Sequence, residues 1–211
     1  MKKYLLSVLS LLVIGCLSLV SLTAQAEGGD PVSMLQSVAD KMIANLKDHQ
    51  TTLKQNPALV YSMANRIIVP HADLDEMSKR VLPPRTWNSA TSTQRSVFEH
   101  EFTTTLVRTY ASALAQYKDQ SIKFFPVRGG YQGKQTVRVN SKIIRSNGPS
   151  ISVVYSLVSR GGEWRLYDMT VEGVSMLESF RSQFADQLSK GNMESLINVL
   201  KQHNAARSSE E

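Results

Sequence analysis

Apolar positions along the chain follow two periods, and the change from one to the other divides it into helical and strand regions. Leu35, Val38, Met42 and Leu46 repeat every three to four residues, with Lys41, Lys47 and Asp48 off that face. Asp30-Pro31 precedes them as a side-chain acceptor followed by a helix-initiating proline. A second stripe, Leu59, Val60, Met63, Ala64 and Ile67, follows Asn56-Pro57 and is stopped by Pro70. A short helix is predicted from Asp73 to Leu82, ended by Pro83-Pro84. Thr91-Ser92-Thr93-Gln94 has the form of a capping box. It opens the longest helix, to about Tyr117, with Phe98, Phe102, Leu106, Tyr110, Leu114 and Tyr117 along one side.

Beyond residue 119 the period becomes two. Ser121–Val127 reads as a strand. From Lys134 to Arg145, Val137, Val139 and Ile143 alternate with Thr136, Arg138, Asn140 and Lys142, the pattern of a half-buried strand with a basic solvent face. Asn147-Gly148 is a hairpin signal, and Ser150–Arg160 returns with Ile151, Val153, Tyr155 and Leu157 on one face. Gly161-Gly162 turns the chain into Glu163–Val171. Helical spacing resumes with Leu177, Phe180, Phe184 and Leu188, breaks at Gly191, and continues with Met193, Leu196, Ile197 and Leu200. The expected fold is α+β: a curved antiparallel meander of about four strands covered on one face by helices.

Composition changes this picture mainly at the N-terminus. The 211 residues carry 24 Lys plus Arg and 18 Asp plus Glu, for a net charge of +6, with 42% hydrophobic and 20% charged residues. That is a globular composition and excludes a disordered or fibrous chain. Lys2 and Lys3, the uncharged run Leu5–Leu22 and Ala24-Gln25-Ala26 form a secretory signal, with cleavage expected after Ala26. Two alternatives are weaker. A retained membrane helix needs about 20 apolar residues, and this run is marginal. Val13-Ile14-Gly15-Cys16 resembles a lipoprotein signal with Cys16 as the lipidated residue, but the apolar run continues through Leu22. The domain map is therefore a leader over 1–26, one domain over 27–204 and a polar tail over 205–211. The exported chain has 185 residues, net charge +4 and no Cys, which excludes a disulfide framework and a thiolate zinc site.

Candidate chemistry is sparse. The four His residues, 49, 71, 100 and 203, lack the spacing that sets two ligands on one helical face, and no metal site is expected. His71, Asp73 and Asp75 are close in sequence only, and Glu99-His100-Glu101 reads as a solvated face. No G-x-S-x-G, P-loop or G-x-G-x-x-G occurs. Tyr167, Asp168 and Glu172 suggest acid–base work in a cone-shaped fold. Adjacent strand residues point to opposite faces, however, so Tyr167 and Asp168 cannot line one cavity without a bulge. Glu172-Gly173-Val174-Ser175 reads more simply as a turn and a helix cap. Export and a weak net charge argue against a nucleic-acid partner and for anionic lipid headgroups or a membrane surface.

The ordered motifs resemble one family across almost the whole exported chain. Ile68-Val69-Pro70-His71-Ala72-Asp73, Trp87 with Thr91–Arg95 and the long apolar helix, Tyr155, and the block Trp164, Tyr167-Asp168, Glu172–Ser175 and Phe180-Arg181-Ser182-Gln183-Phe184 are similar to the MlaC family of periplasmic phospholipid-transport proteins, also called toluene-tolerance auxiliary proteins. Pro83-Pro84 departs from the family's Gly after the preceding Leu, so the turn before Trp87 is expected to differ. The resemblance implies a phospholipid shuttle with no catalytic residues and no cofactor. Acyl chains would lie in an apolar cavity between helices and sheet. Lipid would pass between an outer-membrane lipoprotein–porin complex and an inner-membrane ABC transporter, maintaining outer-membrane asymmetry. Phe98, Phe102, Leu106, Tyr110, Val139, Val153, Tyr155 and Met169 are the candidates for the acyl chains, and Arg181 for the phosphate. The alternatives are an exported enzyme using Asp168 or Glu172 as acid–base groups, and a secreted protein-binding adaptor.

Overall fold

The computed structural model describes residues 29–208, apart from 57 and 118. The leader expected over 1–26, with Cys16 and the cleavage point, lies outside the described residues, as do residues 209–211 of the tail.

Helix α1 (Pro31–Asp48) starts as its sequence dictates. Asp30 accepts hydrogen bonds from Val32 N and Ser33 N at 3.3 and 3.1 Å, and Leu35, Met42 and Leu46 are buried. The short α2 (Gln50–Gln55) follows with Leu53 buried, and its polar sequence carries no stripe to announce it. Helix α3 (Leu59–Ile67) has no side-chain cap, because Asn56 contributes only its carbonyl, which accepts from Leu59 N at 3.2 Å. Pro70 then falls within a single 3-10 turn, Val69–His71. Asp73 caps α4 (Leu74–Val81) through Glu76 N at 2.9 Å. The Pro-Pro pair after Leu82 is accommodated without positive φ: Leu82 and Pro83 are extended, and Pro84 takes the first position of α5 (Pro84–Ser89). Helix α6 (Ser92–Ala115) opens with both bonds of the expected capping box, Thr91 N to Gln94 Oε1 at 3.0 Å and Gln94 N to Thr91 Oγ1 at 3.1 Å.

Five antiparallel strands follow in chain order: β1 (Ser121–Phe124), β2 (Thr136–Ile144), β3 (Ile151–Arg160), β4 (Glu163–Val171) and the two-residue β5 (Val174–Ser175). The sheet is open, and β1 is shorter than the expected Ser121–Val127. One face carries the rows Val137–Leu157–Leu166 and Val139–Tyr155–Met169. Between them the β3–β4 register shifts: Leu157 pairs with Leu166, but Ser156 pairs with Asp168, leaving Tyr167 as an extra residue in a bulge. Glu172 (φ +48) and Gly173 (φ +85) turn β4 into β5. Helices α7 (Met176–Lys190) and α8 (Met193–Ser208) close the chain, the latter running past Asn204 into the region expected to be a tail.

Three apolar clusters hold these elements together. Leu35 of α1 meets Val137, Val139, Leu157 and Trp164 on the sheet. A second cluster joins α1, α2 and α3. The largest gathers α4 to α8, around Phe98, Phe102, Phe180 and Phe184. Helix α4 is tied to the β3–β4 hairpin by Asp73 N to Leu166 O at 2.8 Å and by Arg160, which reaches Asp73 at 2.6 Å and Glu76 at 2.7 Å.

Candidate functional site

The structure separates the residues marked for acyl chains into two groups. On α6, the rings of Phe98 and Phe102 stack at 5.6 Å, and Phe180 and Phe184 of α7 meet them edge-on at 5.5 to 5.7 Å. Phe98 and Phe102 are 0% and 1% exposed and Leu106 is also buried, so these side chains fill a core. Tyr110, one turn further, is only half-buried, 6.5 Å from the Phe180 ring. It borders a cleft of about 450 Å³ between α6, α7 and α8, together with Phe184, Leu200, Gln183 and His203.

The second group lies on the sheet. Val139 and Val153 are closed, at 0% and 2% exposure. Tyr155 and Met169 are cross-strand partners on the same face and are half-buried, so accessible apolar surface remains there. The Tyr155 ring packs on Phe124 at 5.6 Å. Burial raises its phenol above the ordinary tyrosine value, partly offset by a hydrogen bond with Ser141. Burial, and then the charge of Asp168, likewise raises Tyr110. Both phenols therefore stay neutral at physiological pH and add no charge beside the apolar surface.

Arg181 is exposed on α7, with Nη1 a long 3.4 Å from Glu178. It borders a different cleft, of about 520 Å³, shared with Arg80, Arg138, Tyr167 and Asp168. Here the bulge that Tyr167 and Asp168 would need to share one cavity is present. The bulge places Tyr167 beside Asp168 on one cleft, although plain alternation would have sent them to opposite faces. The sequence carries a sign of this: the apolar positions Trp164 and Leu166 resume at Met169 and Val171, a spacing of three where two is the rule. Lys79, Arg80 and Arg138 were not singled out in the sequence. The neighbours Lys79 and Arg80 stand far from Arg138 and Arg181 in the chain, and only the fold brings them together.

The two acid–base candidates are both engaged. Asp168 accepts from Met169 N at 2.8 Å, Leu177 N at 3.1 Å and Ser175 Oγ at 2.8 Å, and Glu172 accepts from Ser152 N. Ser175 in turn caps α7 through Glu178 N at 3.1 Å. Among the described residues, no three His, Cys, Asp or Glu side chains are grouped to hold a metal ion, and no helix is long and apolar enough to cross a membrane.

An open antiparallel meander with accessible apolar side chains on one face, joined to a helical layer, defines a class of α+β domain with a solved representative. A phospholipid-binding protein from Ralstonia solanacearum, determined in complex with a phospholipid, superposes with a TM-score of 0.76 at 28% identity, covering 84% of this chain and 98% of that one. The family model described as MlaC protein matches residues 36–202, and the chain belongs to the MlaC family. It is 30% identical over 180 residues to the toluene tolerance protein ttg2D of Pseudomonas putida, spanning 85% of this chain and 81% of that protein. It is 31% identical over 188 residues to the intermembrane phospholipid transport system binding protein MlaC of Haemophilus influenzae, spanning 87% and 86%.

Proposed function

We propose that this chain is a periplasmic phospholipid carrier, exported with loss of residues 1–26, that passes lipid between an outer-membrane lipoprotein–porin complex and an inner-membrane ABC transporter without a catalytic step. The observation that carries this reading is the half-buried pair Tyr155 and Met169 on the sheet face, in a fold shared with a protein solved around a phospholipid. Each methylene of an acyl chain costs about 0.8 kcal/mol to hold in water. A carrier must therefore leave apolar surface unfilled inside its own fold, and the α6 aromatics, closed at 0 to 1% exposure, do not. Tyr155 and Met169 are the acyl contacts in this reading, with Val139 and Val153 beside them on the same sheet face, while Tyr110 and Arg181 border clefts elsewhere.

The test is to express the chain with its leader, purify it from the periplasm, sequence its N-terminus and quantify extracted lipid by mass spectrometry. A chain beginning at Glu27 with bound phospholipid is expected. Met169→Trp, which fills the open surface, is expected to lower the lipid-to-protein ratio several-fold. A folded protein that carries no lipid overturns the reading.

A further inference from the structure

Cross-strand pairing sets two apolar rows at the end of the sheet that carries the β2–β3 hairpin. Ile122 of β1 pairs with Ile143 of β2, which pairs with Ile151 of β3. In the neighbouring row Val153 of β3 pairs with Val171 of β4, and Val171 with Val174 of β5. Both rows share the face of Tyr155 and Met169, since cross-strand partners and positions two apart point the same way. The helical cover stops short of them. Leu35 of α1 closes over Val137, Val139, Leu157 and Trp164, whereas Ile122, Ile143, Ile151 and Val171 are half-buried and belong to none of the three apolar clusters. Among the described residues three large apolar side chains are exposed, and two of them lie at this end: Val174 at 63%, and Ile144 at 46% on the opposite face of β2. Cations stand beside them. Lys123 and Lys142 are cross-strand partners on the face of Ile144, both exposed, and neither makes an ion pair among the described residues. Arg145 opens the hairpin and donates to Pro149 O at 2.9 and 2.7 Å. The two carboxylates at this end accept from internal donors, Asp119 from Ser146 Oγ at 3.2 Å and Glu172 from Ser152 N.

We infer that this end of the sheet docks on the surface of an anionic lipid bilayer, with Val174 and Ile144 entering the interface and Lys123, Lys142 and Arg145 at headgroup level. Aliphatic tips beside long cationic side chains suit a bilayer interface, because the tips leave water while the charges stay among lipid headgroups. Three cations face two carboxylates, an excess of one, so the aliphatic side chains supply most of the attachment and the cations its preference for anionic lipid. Two projecting side chains fall well short of the roughly 800 Å² per partner that a stable protein interface buries, whereas a bilayer takes them singly. The docking stands without the carrier reading. Passage of lipid through this end rests on that reading: Val171 and Ile151 continue the apolar surface of Met169 and Tyr155 to the sheet's end.

Protein purified from the periplasm is floated on density gradients with vesicles of phosphatidylcholine, alone or mixed in equal parts with phosphatidylglycerol. Folding of each variant is checked by circular dichroism, and lipid left on the separated protein is quantified in parallel. The wild type is expected to float better with the mixed vesicles, and less so at high salt. Val174→Glu and Ile144→Glu are each expected to lower vesicle partitioning about tenfold, and Lys142→Ala about fivefold on the mixed vesicles alone. Val199→Glu, the same change at the third exposed aliphatic, on α8, is expected to leave partitioning unchanged. This pattern without lipid uptake supports the docking and overturns the carrier reading. A wild type that does not float, or folded variants that all float as it does, overturn the inference whether or not lipid is carried. A protein that does not float but sediments as a dimer, dissociated by Val174→Glu, assigns this end to a second copy and likewise overturns it.

Discussion

The carboxylate of Asp168 takes three hydrogen bonds from the segment where β4, β5 and α7 meet, two from backbone N–H groups and one from the hydroxyl that caps the helix. A residue that invites an acid–base reading in sequence is here a brace. Asp168→Ala is expected to lower unfolding free energy by about 1–3 kcal/mol in urea denaturation, since it strands partly buried donors, and Asp168→Asn by less. A wild-type midpoint for the Ala variant would remove the bracing role. His71 gives the fold a pH dependence. Burial, then the charges of Lys41 and Arg165, hold its ring below the ordinary value of 6.5, with Glu163 opposing. The unfolded chain thus binds the proton first on acidification, so this contribution to stability is complete above that value and is lost as pH falls through the lower folded one. His71→Gln is expected to flatten the slope of stability against pH between about 7 and 5. Residue type alone did not sort the acyl candidates. Phe102 and Tyr155 both sit on inward stripes, but periodicity reports which side of an element faces in, not whether neighbours close over it.

At the scale of elements, α1, α4, α6 and α7 were legible because each begins with a capping side chain and keeps a regular stripe. Helices α2 and α5, six residues each, and the two-residue β5 are too short to show a period and form because their neighbours hold them. Gly191 was legible as a break, but its reason lies in packing. A Cβ there would meet Ser195 Cβ at 2.8 Å and Ser195 Oγ at 2.9 Å, so the α7–α8 corner requires an absent side chain. Gly191→Ala is expected to cost about 1–3 kcal/mol by chemical denaturation, the usual range for overpacking. Adding Ser195→Gly should recover part of that loss, and strict additivity of the two changes would exclude the contact as its cause.

At the scale of the whole molecule, two kinds of apolar surface coexist, one closed around α6 and α7 and one left open on the sheet. Mutation should separate them. Phe102→Ala is expected to cost about 3–5 kcal/mol in stability through the cavity it leaves, while bound lipid per folded protein stays unchanged. Met169→Trp should show the opposite pattern, and a loss of lipid in Phe102→Ala at full folding would merge the two surfaces.

Strands adjacent in the sheet are also consecutive in the chain, from β1 to β5. Each pairing therefore closes a short loop, and the sheet can zip up hairpin by hairpin without waiting for distant segments to meet. The slower encounters are those that span the chain, such as Asp73 N with Leu166 O and Glu101 with Asn204. Refolding should accordingly show hydrogen-exchange protection of the β2–β3 amides ahead of those in α8, with the helical half docking onto a sheet already assembled.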